Sequence, residues 1–470
     1  MAKLISRRRF IKNVGIGTVG LSLAPGLLKS VAAQNRKTLK LLQWSHFVPS
    51  YDTWFDRYCR DWGDKHSVNV VVDHISLSDL KSTFAAEVVA GKGHDLVEFI
   101  APPSDFEPSV LDLTDVNQEA RKRFGEQVPV ATRSSYNPFT KKYYGFCHGW
   151  TIDPGDYRKS LWTKVGKGDG PRTWDDLSTF GARILKEYGV QAGIGLSQEL
   201  DSNMAGRALL WSYDSSIQDT DENVVLDNPK TVEAVKFMAD FYEKALTPEV
   251  FSWNPASNNQ LLLAGKASYI LNSVSAYRSA QQDVPEIAKD VYFTPALQGP
   301  RGTAHASEHV IYVSVIPKFA NEPELAKQFL LDLCASYDQA IWASKLYTTP
   351  AFFLTKVPSG MRGYPEVADA KILRDLFNSW FAKDPFALAG EATDKLQALT
   401  SAEQWSTNVG HPGPASPAIG EIFGTFVIPN MFAKVAQKQQ SAEEAVKEAA
   451  LQCRRIFAKW REQGLVGGQS

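Results

Sequence analysis

The sequence predicts an α/β chain of two lobes, each a mostly parallel sheet flanked by helices, and three observations lead there. From Thr38 onward, strand-like and helix-like periodicities alternate in the order β-α-β-α-β, which calls for parallel strands covered by helices. The breaks between them are sharp, as at Gly91-Lys92-Gly93, where a helical pattern stops. About 437 residues follow an N-terminal leader, more than one hydrophobic core usually supports, so two lobes are expected.

The elements follow in order. Thr38 to Trp44 has strand character, and Thr53 to His66 places Trp54, Phe55, Tyr58 and Trp62 on one helical face. Val68 to Val72 is β-branched, Leu80, Phe84 and Val88 mark a second helix, and Asp95 to Ile100 opens a third strand. In Pro171-Arg172-Thr173-Trp174-Asp175-Asp176-Leu177, Thr173 reads as the N-cap of a helix with acidic residues in its first turn. Pro229 starts another helix, with Val232, Val235 and Tyr242 on one face, and Ser441-x-x-Glu444 is a capping box before a long final helix. Gly410-His411-Pro412-Gly413-Pro414 must be a loop.

The leader settles the expected compartment. Ser6-Arg7-Arg8-Arg9-Phe10-Ile11-Lys12 precedes an uncharged run from Asn13 to Leu28, too short to span a bilayer, and small residues at Ser30-Val31-Ala32-Ala33 suit a signal peptidase. Residues 1–33 are read as a twin-arginine signal cleaved near Ala32 or Ala33, which sends the protein to the periplasm. Its loss removes six basic residues and leaves 45 basic against 52 acidic side chains, a net charge of −7. That charge argues against nucleic acid or an anionic membrane as partner. Cys59, Cys147, Cys334 and Cys453 are too scattered for a zinc knuckle or a CxxC site; they read as buried thiols, with a disulfide left open.

Several stretches, in order, resemble the extracellular solute-binding proteins of ABC importers, family 1, the maltodextrin-binding-protein-like group. They are Ala90-Gly91-Lys92-Gly93-His94-Asp95-Leu96-Val97, Lys142-Tyr143-Tyr144-Gly145 with Tyr157-Arg158-Lys159-Ser160-Leu161-Trp162, Gly170 to Leu177, Leu263-Ala264-Gly265-Lys266-Ala267-Ser268, and Ile316-Pro317-Lys318 with Ala326-Lys327-Gln328-Phe329-Leu330. The resemblance implies a two-lobed periplasmic binding protein fold, type II-like, which closes by a hinge on a small ligand. It implies lobes of residues 38–149 plus 312–350 and 152–309 plus 353–470, with crossings near Gly149 to Asp153, His309 to Ser314 and Pro350 to Leu354. It implies a monomeric receptor for a sugar, oligosaccharide or sugar alcohol, no enzyme and no cofactor, whose partner is the importer's transmembrane permease. Arg158 stands where the family has Asn, which motivates a charged solute, an amine or phosphorylated polyol, as the alternative ligand.

One motif competes. His305-Ala306-Ser307-Glu308-His309 spells the H-x-x-E-H signature of the inverted zinc peptidases, which needs both histidines on one helical face. Gly299-Pro300-Arg301-Gly302 upstream and the β-branched run Val310 to Ile316 downstream leave no room for that helix. Glu366 is also the only glutamate between Gly360 and Asp384, where a third ligand belongs. A secreted zinc hydrolase using His305, Glu308 and His309 is therefore the remote alternative, and the stretch is placed at the second crossing instead.

A carbohydrate needs aromatic platforms and planar polar side chains. Trp44 and His46 follow the first strand, and Ser104 and Asp105 the third, at the carboxyl ends where ligands sit in open α/β sheets. Trp150 and Thr151 lie at the first crossing and Asp153 just past it; Trp211 and Trp253 lie near loops. Asn272, Ser273 and Tyr277 fall where the resemblance puts a ligand segment, and Glu308 and His309 where it puts the mouth of the cleft.

Overall fold

The computed structural model describes residues 36–308, 310–357 and 371–469. The leader, His309 and Glu366 lie outside the described residues. Strand β1 (Lys37–Trp44) buries Leu39, Leu41, Leu42 and Trp44. Helix Ser50–His66 buries Tyr51, Trp54, Phe55, Cys59 and Trp62 on the face the spacing indicates, and stops at Ser67, whose φ of 58° is left-handed. The Trp62 ring meets Phe329 of helix Pro323–Ala335 edge-on at 5.2 Å, and its Nε1 donates to Asp332 at 2.9 Å. Strands β2 (Val68–Ile75) and β3 (Leu96–Phe99) flank helix Leu77–Ala90, which ends at Gly91 with φ 64°.

A hairpin of β4 (Tyr136–Asn137) and β5 (Lys142–Tyr143) precedes β6 (Phe146–Trp150). The chain then enters a second sheet through β7 (Gly155–Arg158), followed by β8 (Gln191–Gly193), β9 (Ala267–Leu271) and β10 (Val291–Thr294). It continues through β11 (Ala306–Ser307), β12 (Ile311–Val315), β13 (Thr349–Pro350) and β14 (Ser406–Thr407).

The strand order is β13-β6-β12-β3-β1-β2 in the first sheet and β10-β7-β9-β8 in the second. The α/β class stands, but the expected mostly parallel pairing does not. β1 runs parallel to β3 and β8 to β9, whereas β12 is antiparallel to β3 and β6, β13 to β6, and β7 to β9 and β10. β12 enters between β3 and β6 from far along the chain and runs against both, and the short link after β6 sends the chain to the other sheet. A parallel return over one sheet needs a crossover of a dozen or more residues. Only residues 151–154 separate β6 from β7, so β6 feeds straight into the other sheet.

Around the second sheet, helix Leu200–Ser212 is buried along all 13 residues. It is packed by helices Pro229–Ala245 and Val427–Ala436. Thr173 caps its helix as expected, its side chain accepting from the Asp176 amide at 2.9 Å. The Ser441 and Glu444 capping box forms at the head of helix Ala442–Glu462. The four cysteines are free and buried.

Candidate functional site

The first strand delivers Trp44 and His46 into the interior rather than to an open face. Trp44 is fully buried, and its Nε1 donates to Glu98 Oε1 at 3.0 Å. Glu98 Oε2 also accepts from His148 Nε2 at 2.6 Å. The Trp44 ring stacks on His46 at 4.9 Å, and His46 stacks on Tyr51 at 4.3 Å. His46 Nδ1 accepts the Val48 amide at 2.9 Å, so Nε2 carries the proton shared with Tyr312 Oη at 3.1 Å. Burial pushes the His46 pKa down to about 3, and the ring stays neutral.

The passage from β6 to β7 gathers polar groups from both sheets. The Thr151 amide donates to the Val310 carbonyl at 2.7 Å, and the Val310 amide donates back to Thr151 Oγ1 at 2.8 Å. Asp153 and Asp156 follow, 1% and 0% exposed. Burial, then the charge of Asp153, raises the Asp156 carboxyl well above the ordinary range. Asn272, just after β9, joins them through its amide, which donates to the Pro154 carbonyl at 3.2 Å. Its own Nδ2 donates to Asn259 at 2.8 Å, and Ser273 beside it is 1% exposed.

Two residues not anticipated complete the group. Asp201, at the head of helix Leu200–Ser212, is raised by burial and then by the charges of Glu199 and Asp153, and hydrogen-bonds Asn258. Tyr347, which hydrogen-bonds Thr151, is raised by burial, with Asp201 and Asp153 among the charges facing it. Asp201 was findable: Glu199 follows β8 as β3 precedes Ser104, and the same rule about carboxyl ends of strands points to both.

The remaining candidates are committed elsewhere. Ser104 Oγ donates to the Ser416 carbonyl at 2.8 Å and Asp105 pairs with Lys81 at 2.7 Å, while helix Pro417–Gly424 packs against this loop. Trp211 Nε1 donates to the His411 carbonyl at 3.1 Å. Tyr277 reaches Glu391, its hydroxyl donating at 3.3 Å, with the cationic groups of Arg278 and Lys395 over its ring. Trp253 is half-buried, its ring beside Gly195. Trp150 is fully buried between Thr349 and Ile311 in the sheet.

Within the histidine motif, Ala306–Ser307 is a strand. Ala306 and Ser307 pair in parallel with Ser406 and Thr407, and the Glu308 amide donates to the Thr407 carbonyl at 3.0 Å. Residues three apart on a strand face opposite sides, so His305 and Glu308 do not share a face. Glu308 is fully buried, accepts from Ser134 Oγ at 3.2 Å, and is pushed up to about 8 by burial. The His305 ring lies 4.6 Å from His411. Among the described residues, no group of three or more His, Cys, Asp or Glu is arranged to hold a metal. Arg158, whose identity motivated a charged ligand, is engaged by Asp290 at 2.6 Å at the end of β7, opposite Val291 of β10.

Residues 57–358 match the family profile described as "Bacterial extracellular solute-binding protein". A relative from Deinococcus radiodurans, named "Probable ABC transporter-binding protein", is 24% identical over 280 residues. That match covers 57% of this chain and 65% of the relative, under two thirds of its length. In structure the chain is similar to maltose-bound T. maritima MalE3, with TM-score 0.70 and 20% identity over 89% of this chain and 99% of that one. It is also similar to a sugar transporter from Arthrobacter chlorophenolicus A6 with bound laminaribiose, with TM-score 0.70 and 16% identity over 89% and 99% of the two chains. At these identities the likeness is one of fold.

Proposed function

Because the chain belongs to the bacterial extracellular solute-binding protein family, we propose that it is the receptor of an ABC importer. It captures a sugar, oligosaccharide or sugar alcohol between two lobes by hinge closure and delivers it, chemically unchanged, to the transmembrane permease. The observation that carries this reading is the convergence of Thr151, Asp153, Asn272, Ser273, Asp201 and Tyr347 where the chain passes between its two sheets. Hydroxyl, amide and carboxyl groups gathered in one buried place are what a ring of sugar hydroxyls needs.

In this reading the lobes are residues 38–149 with 312–350 and 152–309 with 353–470. The four-residue link between β6 and β7 supports the first crossing. The twin-arginine leader supports export to the periplasm, with cleavage near Ala32 or Ala33, and the receptor is read as a monomer.

The test is a thermal-shift screen of protein unfolded and refolded to strip ligand, against maltose, laminaribiose, ribitol, amines and phosphorylated polyols. A true ligand at 100 times its dissociation constant adds about 2.7 kcal/mol of stability. A shift with amines or phosphorylated polyols and none with neutral sugars overturns the sugar reading. Hydrolysis of the sugar by the purified protein, or stoichiometric zinc in it, overturns the receptor reading.

A further inference from the structure

Beyond helix Ala442–Glu462, the segment Leu465–Gln469 settles against two separate parts of the chain. It is anchored first to the turn at 219–223. The Gly467 amide donates to Glu222 Oε2 at 2.7 Å and the Gln469 amide to Asn223 Oδ1 at 2.8 Å. Arg461 braces both pieces, donating to the carbonyls of Gly467 at 2.7 Å and Glu222 at 2.5 Å.

On its other side the segment meets the β4–β5 hairpin. Asn137 Nδ2 donates to the Leu465 carbonyl at 2.9 Å and to Glu107 Oε2 at 2.7 Å. Val466 is 2% exposed. The approach is close enough to require glycine. A Cβ on Gly467 would lie 2.7 Å from Glu222 Oε2 and 3.5 Å from the Phe139 ring. Gly468, with φ 83°, would meet the Glu222 and Asp221 carbonyls at 2.7 and 2.9 Å.

The turn and the hairpin fall in different lobes under the division proposed above, and the inference rests on that division. We propose that Leu465–Gln469 is a clasp that holds the two lobes in their described arrangement, so that opening the cleft requires its release. The chemistry at the contact agrees. Glu222 is buried and Glu107 half-buried; burial raises both carboxyls, Glu107 adds to the cost of ionising Glu222, and the Gly467 amide opposes it. Without the clasp, Glu222 keeps Ser416 and Arg461 but loses the Gly467 amide, the largest of the groups that favour its ionised form. A contact present in only one arrangement biases the opening equilibrium by the free energy of that contact.

Small-angle scattering of the ligand-free protein, with hydrogen exchange, tests this. A compact chain of this length has a radius of gyration of about 22 Å. In Gly468→Val, and in a chain ending at Gln463, the radius rises by about 1 Å as the lobes part, while exchange in β1 and β9 stays slow. Gly420→Trp is the control, since a Cβ there already lies 2.5 Å from Ser104 Oγ and forces the lobes apart by another route. Expansion of Gly420→Trp without expansion of the shortened chain overturns the clasp. No expansion in any of the three variants overturns the lobe division itself.

Discussion

Thr151 and Val310 are bonded in both directions, amide to carbonyl at 2.7 Å and amide to hydroxyl at 2.8 Å. The side chain in the passage from β6 to β7 thereby satisfies the backbone just before β12. Both residues are fully buried, so water cannot replace either bond.

Thr151→Val keeps the shape and removes the acceptor, leaving the buried Val310 amide unpaired at a cost of about 1–3 kcal/mol. Urea unfolding reads this as a lower midpoint, and Thr151→Ser recovers most of the loss. Equal midpoints for Thr151→Val and the parent protein would show that the hydroxyl bond contributes nothing to stability.

Trp44 is best tested through stability. With its ring fully buried and its Nε1 on Glu98 at 3.0 Å, Trp44→Ala costs about 3–5 kcal/mol, as large core truncations do. Trp44→Phe loses less, since most of the ring volume remains. Trp253→Ala, at a half-buried ring, stays within about 1 kcal/mol of the parent. Denaturation midpoints ranked in any other order contradict these placements.

The pH profile is set from two sides. Glu308 is raised from 4.5 to about 8, so the folded state holds its proton more tightly than the unfolded state does. Stability is therefore undiminished below pH 4.5, falls as pH rises from there, and levels off above about 8, a loss of at most about 5 kcal/mol. His46 and His411 are lowered from 6.5 to about 3 and about 4, so their contribution is present above 6.5 and is lost as pH falls toward those values. Glu308→Gln makes the alkaline limb shallower, leaving the share of the raised Asp156 and Asp201 carboxyls, and leaves the acid limb unchanged, which thermal melts from pH 4 to 9 resolve. An unchanged alkaline limb in Glu308→Gln assigns it to other groups.

The elements written in local periodicity were legible. Helix Ser50–His66, the Thr173 cap and the Ser441 box depend on residues a few positions apart, and the structure has all three. Strand direction was not, because β12 inserts between β3 and β6 from far along the chain. At the proposed site, Thr151, Asp153, Asn272 and Ser273 come together near residues that went unnamed, Asp201 and Tyr347. Trp44, Trp211 and Tyr277 carried the same aromatic signal as a ligand platform but spend it on Glu98, His411 and Glu391. An indole donor in the sequence reads the same whether its acceptor is a sugar or a carboxylate.

His305-x-x-Glu308-His309 shows where the boundary lies. That this stretch is not a helix follows from local pattern, because glycine and proline before it and β-branched residues after it act within a few residues, and Ala306–Ser307 is a strand. The state of Glu308 depends instead on the folded chain. Its surroundings, Ser134 at 3.2 Å and Arg207 opposite, come from positions more than a hundred residues away, and burial by those distant segments, not local pattern, is what sets its charge.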